Sequence, residues 1–246
     1  MQALWTHTKT EMKLFFREPI AVFFTLLLPG VMFVIMGKIF GTETYSIGDY
    51  FEVYIPNMIG IVIFATGFFA IGLQIVIDRE KGVYKRLKGT PLNPIYVFTA
   101  LVVKGCLAVY LGVIEILILA KVVFDVSLSS SLFQFFLGVT LSLLAFLGLG
   151  FLVASISKRM QTAMAIGFIA MYPMMFLSGA WFPIDNFSPF WKSMSKIIPL
   201  TYANDMMRLG WQGKLYTQEG LVATIVLFGI LLVSAFIGVR FFRWDP

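Results

Sequence analysis

The feature that most constrains this chain is a series of long apolar runs nearly free of charge, at residues 19–37, 53–77, 95–120, 132–156, 160–184 and 220–239. In lipid, about 20 consecutive apolar residues cross the hydrocarbon core as a helix. A helix also satisfies every backbone amide without water. The runs therefore predict an all-α polytopic membrane protein with six transmembrane helices, at approximately 19–40, 53–77, 95–122, 132–156, 160–182 and 219–241. Composition excludes a soluble domain: 59% of the 246 residues are hydrophobic and 13% charged, against roughly 25% charged in a soluble globular chain.

The net charge of +6 becomes a question of sides rather than of nucleic acid, which is not an expected partner. With the N-terminus in the cytoplasm, the inner segments hold twelve Lys and Arg residues and the outer segments six. The positive-inside rule then places both termini in the cytoplasm. The single cysteine, Cys106, and the single histidine, His7, exclude an intrachain disulfide and a cysteine or histidine metal cluster. The polar N-terminus lacks an A-x-A-like cleavage site, so the first run is expected to stay as a signal anchor. Pro29-Gly30 and Pro173 predict kinks, read either as tolerated distortion or as bends around a pathway. Gly105, Gly112, Gly148 and Gly150 suit close helix packing.

Three segments outside the spans carry more information. Residues 1–18 predict an amphipathic interfacial helix, with Leu4, Trp5, Met12, Phe15 and Phe16 on one face. Residues 78–94 form a basic cytoplasmic loop in which Val83 and Leu87 share a helical face and Lys81, Lys85 and Lys88 another, with Gly89 and Pro91 as stops. Residues 183–218 predict an amphipathic outer hairpin. Phe187, Phe190, Trp191, Met194, Ile197 and Ile198 lie at helical spacing before Pro199, and Tyr202, Met206 and Leu209 follow. With Trp181, Trp191 and Trp211 at interface depth, this hairpin is expected to re-enter the outer leaflet.

Lys104 and Glu115 are the charges set well inside a span. Eleven residues separate them, roughly 16 Å along one face, too far for a direct ion pair. Either Lys104 snorkels and Glu115 faces a neighbouring helix or is protonated, or the pair marks a polar helix contact or a proton-linked step. Catalytic residues are not expected: the sequence has no G-x-x-x-x-G-K-[ST] phosphate loop, no G-x-S-x-G elbow and no H-E-x-x-H metal motif.

The run Arg79-Glu80-Lys81-Gly82, then Lys85-Arg86-Leu87, then Thr90-Pro91-Leu92, resembles the cytoplasmic loop of type 2 permeases of ATP-binding-cassette (ABC) exporters, with Val83 where that family often has threonine. Arg17-Glu18-Pro19 resembles the family's R-x-P entrance to the first span. Ser178-Gly179, Phe182-Pro183, Pro199-Leu200-Thr201-Tyr202 and Arg208 resemble its segment between the last two spans. The resemblance runs in order along nearly the whole chain and is nearer to daunorubicin-type drug exporters than to polysaccharide exporters.

The resemblance implies a coupling helix that meets the ATPase through Arg79, Glu80, Lys81, Gly82, Tyr84, Lys85, Arg86, Leu87, Thr90 and Pro91. It implies a connecting helix including Trp5, Phe16, Arg17 and Pro19, and outer re-entrant helices including Phe182, Pro183, Pro199, Tyr202 and Arg208. It further implies two permeases, this chain and a second copy or close homologue, with two soluble ABC ATPase subunits that bind ATP and magnesium. This chain would bind no cofactor itself and would contact membrane lipid. The expected function is export of a hydrophobic or amphipathic substrate (drug, antibiotic, lipid or lipopeptide) from a bacterial cell across the plasma membrane. The alternatives are polysaccharide cargo, an ion- or proton-coupled carrier built on Lys104 and Glu115, and a non-transporting sensor or assembly subunit.

Overall fold

The computed structural model describes residues 9–10, 13, 16–17, 19–45, 48–88, 94–181, 184 and 187–242. It is a helical bundle with one short β-hairpin, Thr44–Tyr45 against Gly48–Asp49, paired Thr44 to Asp49 and Tyr45 to Gly48. Helix α1 covers residues 19–40, α2 Tyr50–Glu80, α3 Val83–Lys88, α4 Pro94–Phe124 and α5 Leu132–Ile156. Then come α6 Met160–Leu177, α7 Pro189–Ser195, α8 Pro199–Trp211 and α9 Gln218–Phe241. Among the described residues five helices are long and apolar enough to cross a membrane: α2, α4 from Phe98, α5, α6 and α9. The apolar part of α1, Thr25–Phe40, is shorter.

Local sequence explains where these helices bend and stop. In α1 the turn Phe23–Leu27 is π-helical, and the Leu28 N–H donates to the Phe23 carbonyl. Pro29 follows directly, so the wider turn absorbs the donor that proline removes. In α2 a second π segment, Phe64–Ala70, lies a little beyond Pro56, a proline that the apolar pattern does not flag. The described helix α6 passes through Pro173 and ends at Leu177, where Gly179 turns the chain at φ +81°. The predicted span to residue 182 is correspondingly shorter here. The outer helix expected over 187–198 is confined to α7, while α8 is a 13-residue helix.

Helices α2 and α5 form the centre. Phe64, Val76, Phe146, Leu143 and Ala154 of these two are fully buried. Helices α1 and α4 pack on the free side of α2, α9 runs along α5, and α6 lies against the C-terminal half of α2. Small residues set the spacing, as van der Waals packing between membrane helices requires. On α5, Gly138 faces the Met206 and Met207 backbone of α8, Gly148 faces Ser234 of α9, and Gly150 faces the Gly67 and Phe68 backbone of α2. One helix thus makes three close approaches on three faces. Tyr110 of α4 hydrogen-bonds Thr140 of α5 at 2.6 Å, closing the remaining side.

Candidate functional site

The end of the bundle that carries the basic loop is organised by the last turn of α2. Arg79 is 3% exposed. Its Nη1 donates to the Ala154 carbonyl at 3.0 Å and its Nη2 to the Ser157 carbonyl. Those carbonyls lie at the C-terminal end of α5, where a helix leaves acceptors unsatisfied and its dipole favours a cation. The neighbouring Glu80 accepts from the Met160 backbone N–H at 3.0 Å. Met160 opens α6, where donors are unsatisfied and the dipole favours an anion. Two adjacent residues of opposite charge therefore cap two helix ends of opposite polarity and clamp the α5–α6 turn.

Helix α2 stops there for a local reason. The Lys81 N–H returns to the Ile77 carbonyl and the Gly82 N–H to the Arg79 carbonyl, each at 2.9 Å. Gly82 takes φ +68°, the left-handed conformation that ends many helices and that glycine adopts freely. Helix α3 starts at the next residue. Its Tyr84 is 1% exposed. The Tyr84 ring stacks on Phe98 of α4 at 5.9 Å and meets Phe242, just past α9, at 6.0 Å. Phe151 of α5 completes the cluster, 5.5 Å from both Phe98 and Phe242. Lys81, Lys85 and Arg86 point the other way and are exposed.

The loop residues grouped together in the sequence thus divide in the fold. Arg79 and Tyr84 are buried in protein, Glu80 is exposed but bonded to the start of α6, and Lys81, Lys85 and Arg86 face outward. The backbone of Leu87 is helical. Thr90 and Pro91 lie outside the described residues, as does Trp5. Phe16 and Arg17 are helical and exposed, and Pro19 is the first residue of α1.

At the opposite end, Asn57 of α2 donates to the Gly179 carbonyl at 2.8 Å and Asn204 of α8 to the Ser178 carbonyl at 3.4 Å. Both amides are buried, and the Asn204 Oδ1 lies against Gly60. The turn after α6 is thereby held by α2 and α8. Pro199 opens α8. The Tyr202 hydroxyl donates to the Lys196 carbonyl at 2.7 Å and Thr201 to the Ser195 carbonyl at 2.8 Å, fixing α8 to the end of α7. Arg208 pairs with Asp205 at 3.0 Å. Phe182 and Pro183 lie outside the described residues. On α7, Phe190 and Trp191 are exposed, whereas Leu200, Met207 and Trp211 of α8 are buried.

Lys104 and Glu115 are both half-buried and are not brought together; Glu115 lies against Gly30 of α1. Asn57, Asn204, Phe98, Phe151 and Phe242 are the residues that sequence reasoning missed. An amide such as Asn57 inside an apolar run was a usable signal. The phenylalanines offered none. Among the described residues no His, Cys, Asp and Glu cluster is able to hold a metal ion.

The long apolar helices define a polytopic α-helical membrane protein. Residues 2–210 match the ABC-2 type transporter membrane family, and the chain belongs to that family. Among its relatives is the YbhR protein of Escherichia coli K12, which carries the name of a multidrug ABC transporter permease. It is 22% identical over 160 residues, 65% of this chain and 44% of the relative. The corresponding protein of Escherichia coli O157:H7 shows the same values. The ycf38 protein of Cyanophora paradoxa, whose name is that of a transport permease, is 26% identical over 231 residues, 90% of this chain and 77% of that protein. The chain spans less than half the length of the two Escherichia coli relatives.

Proposed function

We propose that this chain is the membrane-spanning permease subunit of an ABC exporter driven by a separate ATPase. The observation that carries the proposal is the two-faced helix α3. Lys81, Lys85 and Arg86 offer charge outward around it, while Tyr84 anchors it among α4, α5 and α9. A partner pressing on the basic face would move three membrane helices together. The family membership and the relatives' names support transport, and drug-like or other amphipathic cargo suits the charge-poor spans.

In this reading ATP and magnesium sit on the partner ATPase. A second copy of the chain or a close homologue completes the path, and the protein lies in the plasma membrane with both termini cytoplasmic. Helix α1 is the first of six crossings: residues 19–40, at 1.5 Å each, reach about 33 Å, enough for the hydrocarbon core.

Reconstitution with the ATPase that co-purifies with the chain tests this. Replacing Lys85 and Arg86 together by alanine is expected to abolish most coupled transport and permease-stimulated ATP hydrolysis while leaving insertion intact. Transport by the purified chain with no ATPase present would overturn the proposal.

A further inference from the structure

Helix α7 lies just past the end of a span: α6 stops at Leu177 and α7 begins at Pro189. One side of α7 is held by protein. It packs on α6, and Ser195 on that side is buried. The hydroxyls of Thr201 and Tyr202 on α8 donate to the Ser195 and Lys196 carbonyls, so the end of α7 is fixed in place. Two other sides are exposed. Phe190, 62% exposed, and Ile197, 70% exposed, lie two turns apart and make an apolar side. Lys192 and Lys196, one turn apart, make a basic side. Lys196 caps the helix and keeps helical backbone angles, φ −68° and ψ −13°, so the spacing of a turn holds between the two lysines.

Residues four apart on a helix stand about 6 Å apart at Cβ, so both ammonium groups can reach one phosphate. The salt bridges at this end, Lys121 with Asp125 and Arg208 with Asp205, use neither lysine. On the topology expected from the loop charges this end is the one poorer in Lys and Arg, so topology does not call for the pair.

A short helix beside a span, with one apolar and one basic side, fits the boundary between acyl chains and headgroups. The exposed rings of Trp181 and Trp191 suit the same depth. The apolar side alone would accept any lipid. The lysine pair selects among them: a headgroup of net negative charge satisfies it, whereas a zwitterionic one brings a cation of its own.

We infer that Lys192 and Lys196 bind the phosphate of an anionic phospholipid, with its acyl chain along Phe190 and Ile197. The inference asks only that α7 lie at a bilayer surface and does not rest on the export reading.

The test titrates the full chain in detergent micelles with phosphatidylglycerol and, in parallel, with phosphatidylcholine of the same acyl chains, and follows bound lipid by native mass spectrometry. Phosphatidylglycerol is expected to bind more tightly. Replacing Lys192→Gln and Lys196→Gln together is expected to weaken its binding about tenfold or more, since each cation near a headgroup contributes about 1 kcal/mol, roughly fivefold. Lys192→Arg with Lys196→Arg should retain it. Glycerophosphoglycerol, the same headgroup without acyl chains, should not displace the lipid at equal concentration. Phosphatidylglycerol with a photoreactive headgroup should cross-link to residues 188–198, which locates the site should the glutamine variant fold poorly. The inference is overturned if the two lipids bind equally, if the folded glutamine variant binds like the parent, if the free headgroup competes as well as the lipid, or if cross-links are confined to the basic loop.

Discussion

At Arg79 and Glu80 a helix end turns two neighbouring charges into caps for two other helices. Arg79→Ala strands two buried carbonyls and is expected to destabilise the chain by about 3 kcal/mol, since each hydrogen bond to a charged group contributes roughly 1.5–3 kcal/mol. Arg79→Lys keeps the charge but not the two-pronged geometry and recovers only part of that loss. Glu80→Gln keeps an acceptor, and its cost of about 0.5–1 kcal/mol is the dipole contribution alone. Thermal unfolding of the three variants in nanodiscs should rank them in that order. An Arg79→Ala chain as stable as the parent would show that the clamp carries no stability. The inward role of Arg79 is not legible in the sequence. Its acceptors lie 75 and 78 positions further on, and locally it is one more cation in a basic loop.

At the scale of elements, the apolar runs made the long helices readable, because membrane burial needs length and the absence of charge and little else. Their mutual arrangement was less readable. Gly148 and Gly150 announce close packing, but only the fold shows that they serve different neighbours, α9 and α2. Gly150→Ala drives a methyl group into the α2 backbone and is expected to cost about 1–3 kcal/mol. Gly229→Ala in α9 has nothing within 4 Å and should be neutral or stabilising by about 0.5–1 kcal/mol. Equal effects in the two variants would refute the close-approach account. Helix α3 is six residues long, too short to persist on propensity alone. Its anchor is Tyr84, and Tyr84→Ala is expected to cost about 3–5 kcal/mol of local stability. Hydrogen exchange over residues 83–88 should rise to the rate of an open loop. The partners Phe98, Phe151 and Phe242 were hidden among 26 phenylalanines.

For the whole molecule, the loop charges predict which ends share a side, and cysteine labelling checks it. In a Cys106→Ala background, Lys85→Cys and Tyr216→Cys both fall on exposed residues. A membrane-impermeant maleimide added to intact cells should label position 216 and reach position 85 only after permeabilisation. Labelling of both from outside would overturn the six-crossing topology. The basic loop was legible because its residues are contiguous. The junction of Asn57, Asn204 and the turn after α6 was not, because it assembles from three distant stretches.

The clamp at Arg79 and Glu80 has a mechanical corollary. Because the C-terminal ends of α2 and α5 and the N-terminal end of α6 are pinned to one another, that junction is a fulcrum and the helices are its lever arms. Helix α2 has 31 residues. At 1.5 Å per residue it is roughly 46 Å long, so a rotation of about 10° at the pinned end carries the far end about 8 Å. A small stroke at the clamped end is thereby geared up to a displacement wide enough to part helices at the opposite end.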